Sequence, residues 1–231
     1  MRLIPLAVAL LVTPVLALAE APPRDRVTLA ASATAELPAD WLTLNLATTK
    51  DGSDAAAVQA QIKQALDAAL AEARRVAKPG QVEVQTGGFA VNPRYNSKGG
   101  ISGWVGRAEL IVEGRDSVAI AQLSGRITTL SVAGAAWSLS REAREKAEGD
   151  ITAQAIARFK ARANEVAKAF GYSSYQLGEV NVSGNEGGVM AVPRVFAMKA
   201  AAAPMADEAL PTEAGKARVT ISVNGSIVLT K

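Results

Sequence analysis

A chain of 231 residues is long enough for one domain or two small ones, and its 25 Lys and Arg against 22 Asp and Glu leave a formal charge of only +3. The two signs are interspersed rather than gathered in a stripe, which argues against nucleic acid as a partner. The absence of His and Cys excludes Ser-His-Asp and Cys-His catalysis, the commonest zinc sets, disulfides and an N-terminal lipidated cysteine. Aromatic residues are sparse, so the core is expected to be built from Ala, Val, Leu and Ile.

Arg2 precedes an apolar run from Leu3 to Leu18 that ends in Ala17-Leu18-Ala19. A basic start, an apolar centre and a small-x-small end describe a secretory signal peptide. Pro5 and Pro14 interrupt the run, and it is short for crossing a bilayer. Residues 1–19 therefore read as a cleavable signal, cut between Ala19 and Glu20. The expected mature chain, 20–231, is one domain without a stable membrane span, in the periplasm or secreted.

Val27, Leu29, Ala31, Ala33 and Ala35 alternate with polar residues as in a strand, and Leu42, Leu44 and Leu46 repeat the pattern. Leu37-Pro38-Ala39-Asp40 between them reads as the turn of a hairpin. A helix starts near Ser53, with Val58, Ile62, Leu66, Ala69, Ala73 and Val76 on its apolar face, and Pro79-Gly80 stops it. Val82 and Val84 open a third strand. Its parity then switches to Phe89 and Val91 across Gly87-Gly88, as at a β-bulge.

Asn92 to Gly100 is a polar turn, after which Trp104, Ala108, Leu110 and Val112 share one face of a fourth strand. Asp116 caps a short helix that uses Ile120 and Leu123 and ends at Gly125. A short fifth strand beginning at Trp137 ends in Ser138 and Ser140, and Ser140 is the N-cap of a long helix. Glu142, Glu145 and Glu148 suit the positive end of its dipole. Ile151, Ala155, Phe159, Ala163, Val166 and Phe170 form its apolar face, and Gly171 is its C′ residue. Leu177, Val180 and Val182 begin a sixth strand. The seventh is the cleanest: Val219, Ile221, Val223, Ile227 and Leu229 alternate with Arg218, Thr220, Ser222 and Ser226. Long, and uncharged from Thr220 through Ser222 and Asn224 to Ser226 on its polar face, it would offer a free edge to another chain if it lay at the rim of its sheet.

Residues 183–216 break the pattern, with three prolines, an alanine run at 200–203, and Met190, Met198 and Met205. An irregular insertion of this length inside a domain is usually functional or disordered. Thioethers suit Cu(I), but the spacing is irregular and neither His nor Cys supports it. A loop packed on its own domain or on a neighbouring subunit is the better reading.

Hairpins mixed with long helices specify an α+β class. The expected architecture is a mixed or antiparallel sheet of about seven strands, with two long helices and one short helix packed on it. In that order the chain carries Thr86-Gly87-Gly88-Phe89, Pro93-Arg94-Tyr95, Trp104, Arg107-Ala108 and Leu110-Ile111-Val112. Then follow Ala143, Ala147, Ala155, the helix to Ala167, Phe170-Gly171-Tyr172, Val192-Pro193 and Met198. In these pieces, over essentially all of 27–230, the sequence resembles the SIMPL-domain family. One departure is Trp104-Val105-Gly106, where the family commonly has a basic residue directly after the aromatic. The resemblance implies export and self-assembly into rings or channel-like oligomers, and it implies no catalytic residues.

Chemistry is otherwise hard to place. No G-x-S-x-G or S-x-x-K occurs, and Gly100, Gly103 and Gly106 do not sit between a strand and a helix as a dinucleotide fingerprint requires. Glu109 and Glu113 lie on one strand face and could act as paired acids, although a solvated outer face explains them better. The sequons at Asn181 and Asn224 overlap strands and are read as chance. The expectation is a non-enzymatic exported protein with no cofactor, no catalytic residue and no metal site. It would act as a homo-oligomeric scaffold with an envelope or stress role. The alternative is a periplasmic module binding a small molecule or peptide.

Overall fold

The computed structural model describes residues 25–184, 210 and 213–231. The signal segment with its Ala19–Glu20 junction lies outside the described residues, as do Met190, Met198 and Met205. The elements are β1 (Arg26–Pro38), β2 (Trp41–Gly52), α1 (Ala55–Val76), β3 (Glu83–Tyr95) and β4 (Ile101–Gly114). They continue with α2 (Ser117–Arg126), β5 (Ser131–Ser138), α3 (Arg141–Ala169), β6 (Ser174–Gly184) and β7 (Lys216–Thr230).

The fold is α+β. Its seven strands form two antiparallel sheets, one ordered β1-β7-β6 and the other β3-β4-β2-β5. Two expectations change here. β1 and β2 are not a hairpin: β1 pairs with β7 from Arg26↔Val228 to Pro38↔Lys216, whereas β2 pairs with β4 and β5. Alternation establishes that a segment is a strand and which face is buried, but it is blind to the partner. Asp40, read as a turn residue, instead sends its amide to Ser138 O and its carboxylate to Ser140. The last strand is likewise no rim: β7 is the middle strand of its sheet, flanked by β1 and β6.

Local chemistry sets the helix ends. Asp54, Asp116 and Ser140 each accept a hydrogen bond from the backbone N–H three residues on, which satisfies one orphan donor at each N-terminus. α2 runs through Gly125, and the Ile127 amide carries its ladder on to Leu123 O. α3 closes in a Schellman motif: Gly171 N donates to Lys168 O and Tyr172 N to Ala167 O. Gly171 takes φ +79° there, a conformation that glycine adopts without a Cβ penalty.

The buried stripe of α3 is Ala147, Ile151, Ala155, Phe159, Ala163 and Ala167. Each step of four residues advances the stripe about 40° around the axis, so it drifts off the 3.6-residue line that includes Phe170. Phe170, expected on the apolar face, is the C-cap and is 64% exposed.

Each sheet has its own core. Leu29, Ala33, Ile221, Val223, Ile227 and Leu229 pack on the α3 stripe. Leu42, Leu44, Leu46, Ala108, Leu110 and Val112 pack on α1 and α2 through Ile62, Leu66, Ile120 and Leu123. Among the described residues the two clusters share none. The parity switch in β3 is a bulge, with the register against β4 shifting between Thr86 and Phe89.

Candidate functional site

Glu109 and Glu113, the paired acids of the sequence, do not form an acid–base pair. Glu113 accepts from Thr43 Oγ1 at 3.1 Å, Trp41 Nε1 at 3.4 Å and Gln85 Nε2 at 3.2 Å, tying the outer face of β4 to β2 and β3. Glu109 pairs with Arg107 Nε at 2.7 Å and accepts from Gly88 N at the bulge, 3.4 Å away. Both carboxylates hold a sheet together. Among the described residues no group of three or more His, Cys, Asp or Glu is placed to hold a metal.

A second cluster was not legible in the sequence. Asp40, between β1 and β2, meets Ser140, between β5 and α3, across 100 positions of chain. Asp40 Oδ1 accepts from Ser140 N and Oδ2 from Ser140 Oγ, each at 2.7 Å. Arg115, just past β4, sets Nε 3.5 Å from Asp40 Oδ2, and its Nη2 reaches Ser140 Oγ at 3.0 Å and also Glu142. Arg115 is placed by Gly114, where a Cβ would run into the Gln81 carbonyl. Burial pushes the Asp40 carboxyl up, but the Ser140 hydrogen bonds and the Arg115 charge together outweigh it and hold the carboxyl below its ordinary value.

A Ser beside an Asp invites a nucleophilic reading, which the geometry removes. The Ser140 hydroxyl has one proton and two lone pairs. The proton goes to Asp40, and the lone pairs take Ala143 N–H and Arg115. The residue is 2% exposed, so the hydroxyl is buried with its bonding capacity spent. Its role is to join chain segments.

The surface carries the remaining candidate. β6 is a rim strand of its sheet, and Leu177, Val180 and Val182 on it are 53%, 39% and 46% exposed. Leu177 lies opposite Ile227 and Val182 opposite Val223, so they stand on the α3 side of the sheet without being covered by the helix. Beside them a cavity of about 300 Å³ is lined by Glu148, Thr152, Val182, Gly184, Val219, Thr220 and Ile221. It offers one carboxylate and two hydroxyls, a set suited to contact rather than to acid–base work. No described helix is long and apolar enough to cross a membrane.

Compared with known families, residues 27–227 match the family model described as SIMPL, protein of unknown function (DUF541). No curated protein matches the chain.

Proposed function

The chain belongs to the SIMPL family, and from that premise we propose that it is an exported, non-enzymatic protein that assembles with copies of itself into a scaffold of the cell envelope. Export rests on Arg2, the apolar run Leu3–Leu18 and the Ala17-Leu18-Ala19 end. A non-enzymatic role is supported by the commitment of Glu109, Glu113, Asp40 and Ser140 to structural bonds.

The observation that carries assembly is β6. A rim strand offers unpaired N–H and C=O groups, and this one adds three apolar residues that are each more than a third exposed. β1, the opposite rim, is 13 residues long and has proline only at its last position, so it does little to repel a neighbour. A rim-to-rim contact between unlike edges is heterologous, and such contacts close into rings when their rotation allows.

Light scattering after gel filtration tests the reading on mature protein. The expected result is one assembly of several subunits, and Val180→Lys with Val182→Lys should lower its mass without changing the circular dichroism. A wild-type monomer overturns the scaffold. It would favour a binding module, for which the cavity against α3 is the place to look.

A further inference from the structure

Among the described residues the two cores share none, and the substantial packing of each helix and strand stays within its own sheet's group. β1, α3, β6 and β7 make one body; β2, α1, β3, β4, α2 and β5 make the other. The second body is inserted into the first. The chain leaves through Ala39-Asp40 and returns through Leu139-Ser140, two residues each way. From the segment before β7, Leu210 also touches the second body, by a long hydrogen bond of 3.4 Å to Ala121 O and packing at the rim of its core.

Both crossings meet at one point. Asp40 N donates to Ser138 O at 3.0 Å, Ala39 N donates to Gly215 O at 3.0 Å, and the Asp40 carboxylate holds Ser140 by two bonds of 2.7 Å. Arg115 from the second body ties into the same group. We propose that the Asp40–Ser140 pair is the lock of a hinge between the two bodies. Closed, it fixes their angle; opened, it lets them reorient about the two crossings while both cores stay packed. Hinges of this kind are a few element-terminal residues that absorb a rigid-body change.

The charged groups facing the lock are Arg115, from the end of β4, and Glu142, from the first turn of α3. β5 and the residue before β7 contribute backbone groups. The Asp40 carboxylate that accepts both Ser140 bonds and faces Arg115 is ionised at neutral pH, as an aspartate ordinarily is, so the lock is closed there; protonation in acid removes the charge that these bonds serve and opens it.

The chain has no cysteine, so labels can be placed at will. Gln61→Cys on α1 and Gln154→Cys on α3, both exposed, put one spin label on each body. Electron–electron resonance on labelled chains diluted with unlabelled protein then reads the distance between them. At neutral pH the parent gives one narrow distance. Asp40→Ala adds a second population above about one tenth, with the circular dichroism unchanged. Glu113→Gln, inside the second body, leaves the distance as it was.

An unaltered narrow distance in folded Asp40→Ala overturns the lock, as does equal broadening in Glu113→Gln. If Asp40→Ala does not fold, the parent is titrated with acid. Broadening before the near-ultraviolet dichroism falls supports the hinge. A distance that stays narrow until the cores melt overturns it.

Discussion

Gly106 on β4 and Val58 on α1 meet so closely that a Cβ on the glycine would lie 2.6 Å from Val58 Cγ1, with Ile62 Cδ1 at 3.2 Å. This contact sets how near the helix comes to its sheet. Gly106→Ala should therefore destabilise the protein by about 1–3 kcal/mol through overpacking. Urea denaturation measures it, and Val58→Ala in the same chain should recover part of the loss. Additive effects of the two substitutions would mean that the contact is not what costs.

Phe159 is the largest side chain in the α3 core and is 2% exposed. Phe159→Ala leaves a cavity between helix and sheet and should cost about 3–5 kcal/mol. A change below about 0.5 kcal/mol by denaturant titration would be that of a surface site and would contradict the packing.

Ser226 faces away from α3, yet its Oγ is buried and has no hydrogen-bond partner among the described residues. Gly178 lies over it: a Cβ there would come to 2.5 Å of that oxygen. An unsatisfied buried hydroxyl costs about 1–3 kcal/mol, so Ser226→Ala should leave stability unchanged or raise it. A fall of more than about 1 kcal/mol would reveal a bond to Oγ that this geometry does not contain.

Asp40 predicts a pH dependence whose sign follows from linkage. Its native carboxyl pKa is lowered, so below about 3.9, the ordinary aspartate value, the unfolded chain binds more protons at this site than the folded one. The contribution is complete above that value and is lost as pH falls through the lower native one. Glu36 adds in the same direction through its hydrogen bond from Arg218. Both carboxylates are more than a third exposed, so solvent screening keeps the effect modest. Thermal melts from neutral to acid pH should show a steeper acid decline in the parent than in Asp40→Asn; equal slopes would remove Asp40 from the account.

Several features were legible because they depend on neighbours within a few positions. The Ser140 cap, the Gly171 terminus, the Gly87-Gly88 bulge and the strand segments follow from caps, φ preference and period. The absence of His and Cys likewise limited the chemistry before any fold was known. The parity of Glu109 and Glu113 opposite Leu110 and Val112 puts them on an outer sheet face from sequence alone, but their ties to Arg107, Trp41, Thr43 and Gln85 depend on the three-dimensional structure.

Pairing across distance was decided by the tertiary structure alone. Alternation in β1 and β7 states a buried face, and any strand with a matching face satisfies it; packing on α3 is what joins Ala33 to Ile221 in one sheet and leaves β6 at the rim. The same reason hid Asp40–Ser140. Each residue has a complete local explanation, a turn and a cap, and only the return of the chain between two separate cores brings them within 2.7 Å. Sequence periodicity reports which side of an element is dry; the free energy of burying those sides against one another selects the partners.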